Sequence, residues 1–89
     1  MRLQRRRARR RPLNASVMVL APYEGSGVTI NASVGGLRVA VDCVLSTGDD
    51  CMLRLDVPGK PPRLVRAVVV WSQQVGDGCI AGLTYKLTH

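Results

Sequence analysis

Short apolar segments follow one another along the chain, and turn residues separate them at close intervals. Within most segments apolar and polar residues alternate, which is typical of strands that bury one face. Glycine, proline and aspartate are concentrated between the segments, where a strand must end and reverse direction. The pattern predicts no helix and six strands, at residues 16–21, 28–33, 37–42, 52–57, 64–72 and 79–87.

The second and third predicted strands form a hairpin, because the pair Gly35-Gly36 lies between them. Alternation predicts that three residues of the second strand face the core, namely Val28, Ile30 and Ala32. The same alternation points three polar residues away from the core, namely Thr29, Asn31 and Ser33. In the third strand one face carries three apolar residues, namely Leu37, Val39 and Val41.

The fifth predicted strand, residues 64–72, is apolar with little alternation, so we expect it to be central and buried on both faces. In the fourth strand Leu53, Leu55 and Val57 share a face. In the last strand alternate residues share a face, namely Cys79, Ala81, Leu83, Tyr85 and Leu87. Closing six short strands into a barrel removes the exposed edges that invite aggregation. The expected fold is therefore all-β, a small six-stranded antiparallel barrel.

The positive charge of the chain is concentrated at its start. Residues 1–11 contain seven arginines and no acidic residue, whereas the six other basic residues balance the six acidic residues of residues 12–89. Like charges at this density oppose folding, so we expect a flexible basic arm at residues 1–11 and one folded domain at residues 12–89. A basic arm on a neutral body indicates an arm that binds an anion and argues against a surface that coats nucleic acid.

Residues suited to catalysis or metal binding are not arranged in a recognisable pattern. The three cysteines, Cys43, Cys51 and Cys79, form no CxxC pair, and the only histidine is His89. Asp49-Asp50 lies in a predicted turn, where solvated acids are the simpler interpretation. We therefore expect no enzyme activity, no metal and no cofactor, with free thiols in a reducing compartment.

The sequence also argues against membrane insertion. No apolar stretch approaches the roughly 20 residues of a membrane-spanning helix. The apolar run after the arm is short and is interrupted by Asn14 and Ser16, unlike a secretory signal. The expected location is the cytoplasm.

Two spacings resemble the motifs of the PilZ domain family of cyclic di-GMP receptors. The arm contains arginines four residues apart, and residues 31–36, Asn-Ala-Ser-Val-Gly-Gly, match the family's (D/N)xSxxG pattern. Residues 10–14, 36–39, 68–71 and 81–85 are similar to the approach to the family's first strand and to its third, fifth and last strands. The resemblance covers nearly the whole chain and implies a PilZ-like barrel of the split-barrel type.

The resemblance implies a set of ligand-binding residues for cyclic di-GMP. Several arginine pairs fit the RxxxR pattern, and Arg6 and Arg10 fit best because the family's second arginine stands three residues ahead of a pair such as Leu13-Asn14. Planar guanidinium groups can bind phosphate oxygens in pairs and can stack on guanine. The implied site also contains Asn31 and Ser33 as polar contacts, Gly36 for close backbone approach, and Arg5 and Arg7 as flanking charges.

The sequence departs from the family pattern at two points, and it leaves two alternative functions open. The chain stops at His89, so we expect the family's C-terminal helix to be short or absent, and Asn31 stands where the family more often has Asp. The main hypothesis is a receptor or adaptor that also binds a protein partner. The alternatives are a β-barrel that binds nucleic acid through its arm, and a PilZ-like interaction module without nucleotide binding. Trp71 is interpreted as a core residue or as a surface that stacks on a base.

Overall fold

The computed structural model describes residues 11–12 and 15–86, and this part of the chain consists of strands and turns without a helix. Residues 1–10 of the expected flexible arm lie outside the described residues, as does the chain end after residue 86. The candidate arginines Arg5, Arg6, Arg7 and Arg10 are therefore not described. The strands are β1 (Arg11–Pro12), β2 (Ser16–Ala21), β3 (Gly25–Ser33), β4 (Gly36–Val41), β5 (Asp50–Asp56), β6 (Arg63–Val75) and β7 (Gly78–Tyr85).

The strands form one antiparallel sheet that closes on itself. Their order is β1-β3-β2-β5-β6-β7-β4, and pairing between β3 and β4 joins the two ends of the six-stranded part. The short β1 pairs with the end of β3 beside the barrel. The expected six-stranded antiparallel barrel is therefore confirmed. Within the described ranges no helix is long and apolar enough to cross a membrane.

The core consists of the inward faces of the strands, and three of these faces follow the predicted alternation. The confirmed inward residues are Leu37, Val39 and Val41 in β4, Leu53 and Leu55 in β5, and Cys79, Ala81 and Leu83 in β7. Leu45, from the loop after β4, is fully buried, and the Ser72 hydroxyl donates a 2.6 Å hydrogen bond to its carbonyl. The three cysteines are free thiols, with Cys51 and Cys79 buried and Cys43 half-buried.

The predicted faces of β3 are wrong over its middle. Val28 and Ile30 are 53% and 39% exposed, whereas Thr29 is only 6% exposed. Thr29 can be buried because its hydroxyl oxygen accepts the N–H of Ala15 at 3.2 Å. A β-bulge between Thr29 and Asn31 then changes the phase of the strand, so that Ala32 packs against the core.

The prediction that residues 64–72 are buried on both faces is also wrong. The strand is central in the sheet, and Ala67 and Val69 are buried, but Leu64 and Val70 are exposed. A second bulge, between Val69 and Trp71, interrupts the pairing with β7. Because a bulge places two consecutive residues opposite one, alternation before and after it differs in phase, and the sequence shows a continuous apolar run.

Candidate ligand-binding site

The polar residues of the NxSxxG pattern lie at the end of β3, on the hairpin with β4. Asn31 pairs with Arg38 and Ser33 with Gly36, while Ala32 between them pairs with the buried Leu37. Side chains alternate across a strand, so Asn31 and Ser33 share the face opposite to Ala32. The prediction that these two residues point away from the core therefore agrees with the register, although the bulge and not simple alternation from Val28 produces it.

The arm joins the barrel directly beside these two residues. In β1, Arg11 pairs with Ala32 and Pro12 pairs with Asn31. Arg11, the last residue of the expected arm, therefore lies next to the Asn31–Ser33 face.

Gly36 has a structural role in addition to the one expected at the ligand. The turn consists of Val34 and Gly35, and Gly36 is the first residue of β4. A Cβ atom on Gly36 would overlap the backbone carbonyl oxygen of Leu83 in the neighbouring β7. Gly36 is therefore required for close packing of two strands, and it brings the hairpin against β7 beneath the site.

A groove of about 240 Å³ begins at Ser33 and continues across β4, β7 and β6. The residues that line it include Gly36, Leu37, Arg38, Trp71 and Thr84. Ser33 is the residue that the groove shares with the outer face of the hairpin. The groove therefore extends the predicted site along the outside of the barrel.

Arg38 and Trp71 both line this groove. The guanidinium carbon of Arg38 lies 5.3 Å from the centroid of the Trp71 ring, within the range of a cation–π interaction. Nε of Arg38 is buried and has no hydrogen-bond partner among residues 11–12 and 15–86. A buried donor without a partner is uncommon in folded proteins, and it makes Arg38 a candidate for an interaction with an anionic ligand.

Trp71 can lie flat against the sheet because its partner in β7 is a glycine. Trp71 pairs with Gly82, and a Cβ atom there would lie 2.6 Å from Cε2 of the indole. Real Cβ atoms do not approach other atoms so closely, so the missing side chain of Gly82 makes room for the ring. Trp71 is 38% exposed, which contradicts its interpretation as a core residue.

Sequence reasoning missed Arg38 and assigned Trp71 to the core as the stronger of two interpretations. Arg38 could have been found, since it alternates with the buried Leu37 and Val39 and immediately follows the NxSxxG pattern. The exposure of Trp71 depends on the bulge after Val69, for which the sequence carries no clear signal. Together with Ser33, these two residues offer a hydroxyl, a guanidinium group and an aromatic face on one side of the barrel.

Two of the three cysteine thiols have raised pKa values. Burial raises the pKa of the Cys51 thiol to about 11, which keeps it protonated and unreactive at neutral pH. Burial also raises the pKa of Cys43. Among residues 11–12 and 15–86, no cluster of histidine, cysteine and acidic side chains could hold a metal ion.

The chain is similar to known proteins in sequence and in fold. The family model described as PilZ domain matches residues 4–88 of the chain. Among solved structures, the Bacillus subtilis inhibitor of motility, MotI/DgrA, is similar with a TM-score of 0.72 and 21% sequence identity. The match covers 98% of this chain and 45% of that protein, so the chain spans less than half the length of its structural relative. No curated protein sequence matches the chain.

Proposed function

The chain belongs to the PilZ domain family, and we propose that it is a receptor domain for cyclic di-GMP that acts as an adaptor and not as an enzyme. In this proposal, the arm and the β3–β4 hairpin hold the dinucleotide between them. Asn31 and Ser33 bind it from the hairpin, and Arg6 and Arg10 bind it from the arm, with Arg5 and Arg7 adding positive charge.

One observation carries the proposal most strongly. The backbone of Arg11, the residue that follows the RxxxR pattern in the sequence, pairs with Ala32, the residue between Asn31 and Ser33. Twenty residues separate Arg10 from Asn31 in the sequence, and the pairing of β1 with β3 places Arg11 beside the hairpin. In the proposal, a ligand beside this hairpin contacts both motifs.

The chemistry of the site suits a dinucleotide with two phosphates and two guanines. Guanidinium groups form paired, charge-assisted hydrogen bonds with phosphate oxygens and with the O6/N7 edge of guanine. Asn31 offers an amide oxygen to a guanine N–H, and Ser33 offers a hydroxyl to phosphate. Trp71 offers a flat ring on which a base can stack, with Arg38 beside it.

The size of the groove explains why the arm is needed. Its volume of about 240 Å³ is smaller than the roughly 300–1,000 Å³ of pockets that enclose a drug-sized ligand. The groove can therefore accept part of the dinucleotide, such as one base, but not the whole molecule. The arm would have to cover the rest, which couples ligand binding to the position of the arm.

This coupling provides a mechanism for an adaptor. The arm carries seven arginines, and ordering each residue costs roughly 1–2 kcal/mol of backbone entropy. An anionic ligand held on the hairpin supplies the attraction that offsets this cost, so its binding would fix the arm against the barrel. The newly fixed surface is what a partner protein would recognise.

Titration calorimetry tests the proposed ligand. Cyclic di-GMP should bind to the full chain far more tightly than GTP, and Asn31→Ala and Ser33→Ala should each weaken binding by about tenfold through loss of one or two hydrogen bonds. Ser16→Ala is the matched control, because Ser16 is an exposed β2 residue that does not line the groove. Equal affinity for GTP and cyclic di-GMP would refute the proposal.

Limited trypsin digestion tests the mechanism separately. Without ligand, cleavage within residues 5–11 should be rapid while the barrel persists. Saturating cyclic di-GMP should slow cleavage most at Arg6 and Arg10. If the ligand binds and these sites are cleaved as fast as before, the arm is not the clamp.

A further inference from the structure

A second groove, of about 600 Å³, lies beside the Val34-Gly35 turn. It forms where the first part of β6 extends beyond β7, because β7 ends at Tyr85 opposite Ala67. We call it the basic groove, defined by the lining residues Val34, Arg63, Leu64, Arg66, Tyr85 and Lys86. It shares only Ser33 with the groove that contains Arg38 and Trp71.

Solvent-exposed apolar side chains line the basic groove. Val34 is 99% exposed and Leu64 is 68% exposed, and they are the two most exposed large hydrophobic side chains of residues 15–86. Single exposed hydrophobic residues are common and need no explanation. Here the two most exposed ones come from different hairpins and line one groove, which is typical of an interaction surface.

Basic side chains also line this groove. Arg63, Arg66 and Lys86 line it, and they are three of the six basic side chains that the structure describes. Lys86 forms a 2.8 Å ion pair with Asp50. Its charge is therefore partly compensated, and the pair lowers the pKa of Asp50. Neither Arg63 nor Arg66 forms an ion pair within the described residues. Arg66 adds to the effect of Lys86 on the pKa of Asp50, so the charge of Arg66 is partly compensated at longer range and that of Arg63 is the more available to a partner.

We propose that the basic groove is a docking site for a protein partner, and that the partner inserts a segment in which acidic residues flank a large apolar residue. The acidic residues would pair with Arg63 and Arg66, and the apolar residue would cover Leu64 and Val34. Charge complementarity selects this occupant over a second copy of the chain, which would have to offer a matching acidic segment. Residues 12–89 are neutral overall, and their one acidic pair, Asp49-Asp50, is partly engaged with Lys86.

The position of the groove suggests how a ligand could affect docking. Ser33 lines both grooves, and Val34 is the next residue in the turn. A ligand that binds Ser33 would sit beside the turn that also receives the partner. This coupling rests on the proposed function, whereas the docking site itself does not.

Selection from a random peptide library displayed on phage, against the full chain without nucleotide, tests the docking site. The selected peptides should be enriched in acidic residues flanking a leucine, isoleucine or aromatic residue. Arg63→Glu and Arg66→Glu should each weaken binding of a synthetic copy of a selected peptide by about tenfold, as expected for a charged contact near the centre of an interface. Lys60→Glu makes the same change in net charge at an exposed residue that does not line the groove, and it should leave the affinity within about twofold, because an exposed charge without a direct contact contributes little.

Several outcomes would overturn the proposal. Selected peptides without an acidic bias would do so, as would equal losses from Lys60→Glu and Arg63→Glu, which would indicate general attraction to a basic chain. Binding that is insensitive to all three changes would place the peptide elsewhere, for example on the arm. A single-stranded oligonucleotide that binds more tightly than any selected peptide and is lost in Arg63→Glu would assign the groove to nucleic acid. None of these outcomes depends on cyclic di-GMP, so they are distinct from failure of the proposed function.

Discussion

Replacement of Arg38 by methionine should separate the stability of the barrel from its affinity for ligand. The substitution removes the cation–π interaction with Trp71, which at a half-buried position contributes about 1 kcal/mol. It also removes the buried Nε, a donor without a partner in the described chain, whose burial costs about 1–3 kcal/mol. Methionine retains most of the apolar volume of the arginine stem. The two effects oppose each other, so the free energy of unfolding should stay unchanged or rise by up to about 2 kcal/mol.

The effect of Arg38→Met on ligand binding should be much larger. Loss of one charge-assisted hydrogen bond weakens binding by about 1.5–3 kcal/mol, which corresponds to about ten- to hundredfold in the dissociation constant. Urea denaturation measures the first quantity and calorimetric titration with cyclic di-GMP the second. Arg54→Met is the matched control, because Arg54 is exposed, lies outside the groove and pairs with Asp56 at 3.3 Å. Unchanged affinity in Arg38→Met, or an equal loss in Arg54→Met, would refute a direct role for Arg38.

Three further predictions concern the barrel and its charge. Gly36→Ala should lower the free energy of unfolding by about 1–3 kcal/mol, because the Cβ of the new alanine meets the Leu83 carbonyl. Gly35→Ala should leave the free energy of unfolding unchanged in urea denaturation, because open space surrounds that position. The free energy of unfolding should fall as the pH rises from 9 to about 11. Burial raises the pKa of Cys51 from 9.0 to about 11, so in this range the folded protein holds a proton that the unfolded chain releases. Urea denaturation of Cys51→Ala over the same pH range should show a shallower fall. Any binding of DNA or RNA should weaken steeply between low and physiological salt, because many phosphate contacts release many counterions, whereas cyclic di-GMP binding should largely persist.

The sequence was most informative where strand alternation is uninterrupted. In β4, Leu37, Val39 and Val41 alternate with polar or small residues and all three are buried, because the strand pairs regularly with β7. The prediction that Asn31 and Ser33 point away from the core agrees with the register, but the bulge before Asn31 and not simple alternation produces that orientation. Where strand pairing is regular, side chains alternate between the two faces of the strand, so the alternation of apolar and polar residues in the sequence predicts which side chains are buried.

Bulges account for what the sequence did not predict. Each bulge adds one residue to one strand, and the added residue is chosen by pairing with distant strands and not by local sequence. In β3 the bulge follows Thr29, whose burial depends on contact with Ala15, fourteen residues away. In β6 the bulge after Val69 exposes Trp71, and its fit depends on Gly82 in the next strand. The groove beside Arg38 is therefore a product of tertiary pairing.

The most direct test of cyclic di-GMP binding by the arm and hairpin compares two arginines in the same arm. Arg10→Ala and Arg2→Ala each remove one positive charge, but Arg10 is bonded to Arg11, which pairs beside Asn31 and Ser33, while Arg2 lies eight residues further from it. Calorimetric titration with cyclic di-GMP should show no measurable binding to Arg10→Ala and nearly unchanged affinity for Arg2→Ala. Equal losses from both variants would mean that the arm attracts the ligand only through its total charge, and would contradict a specific clamp.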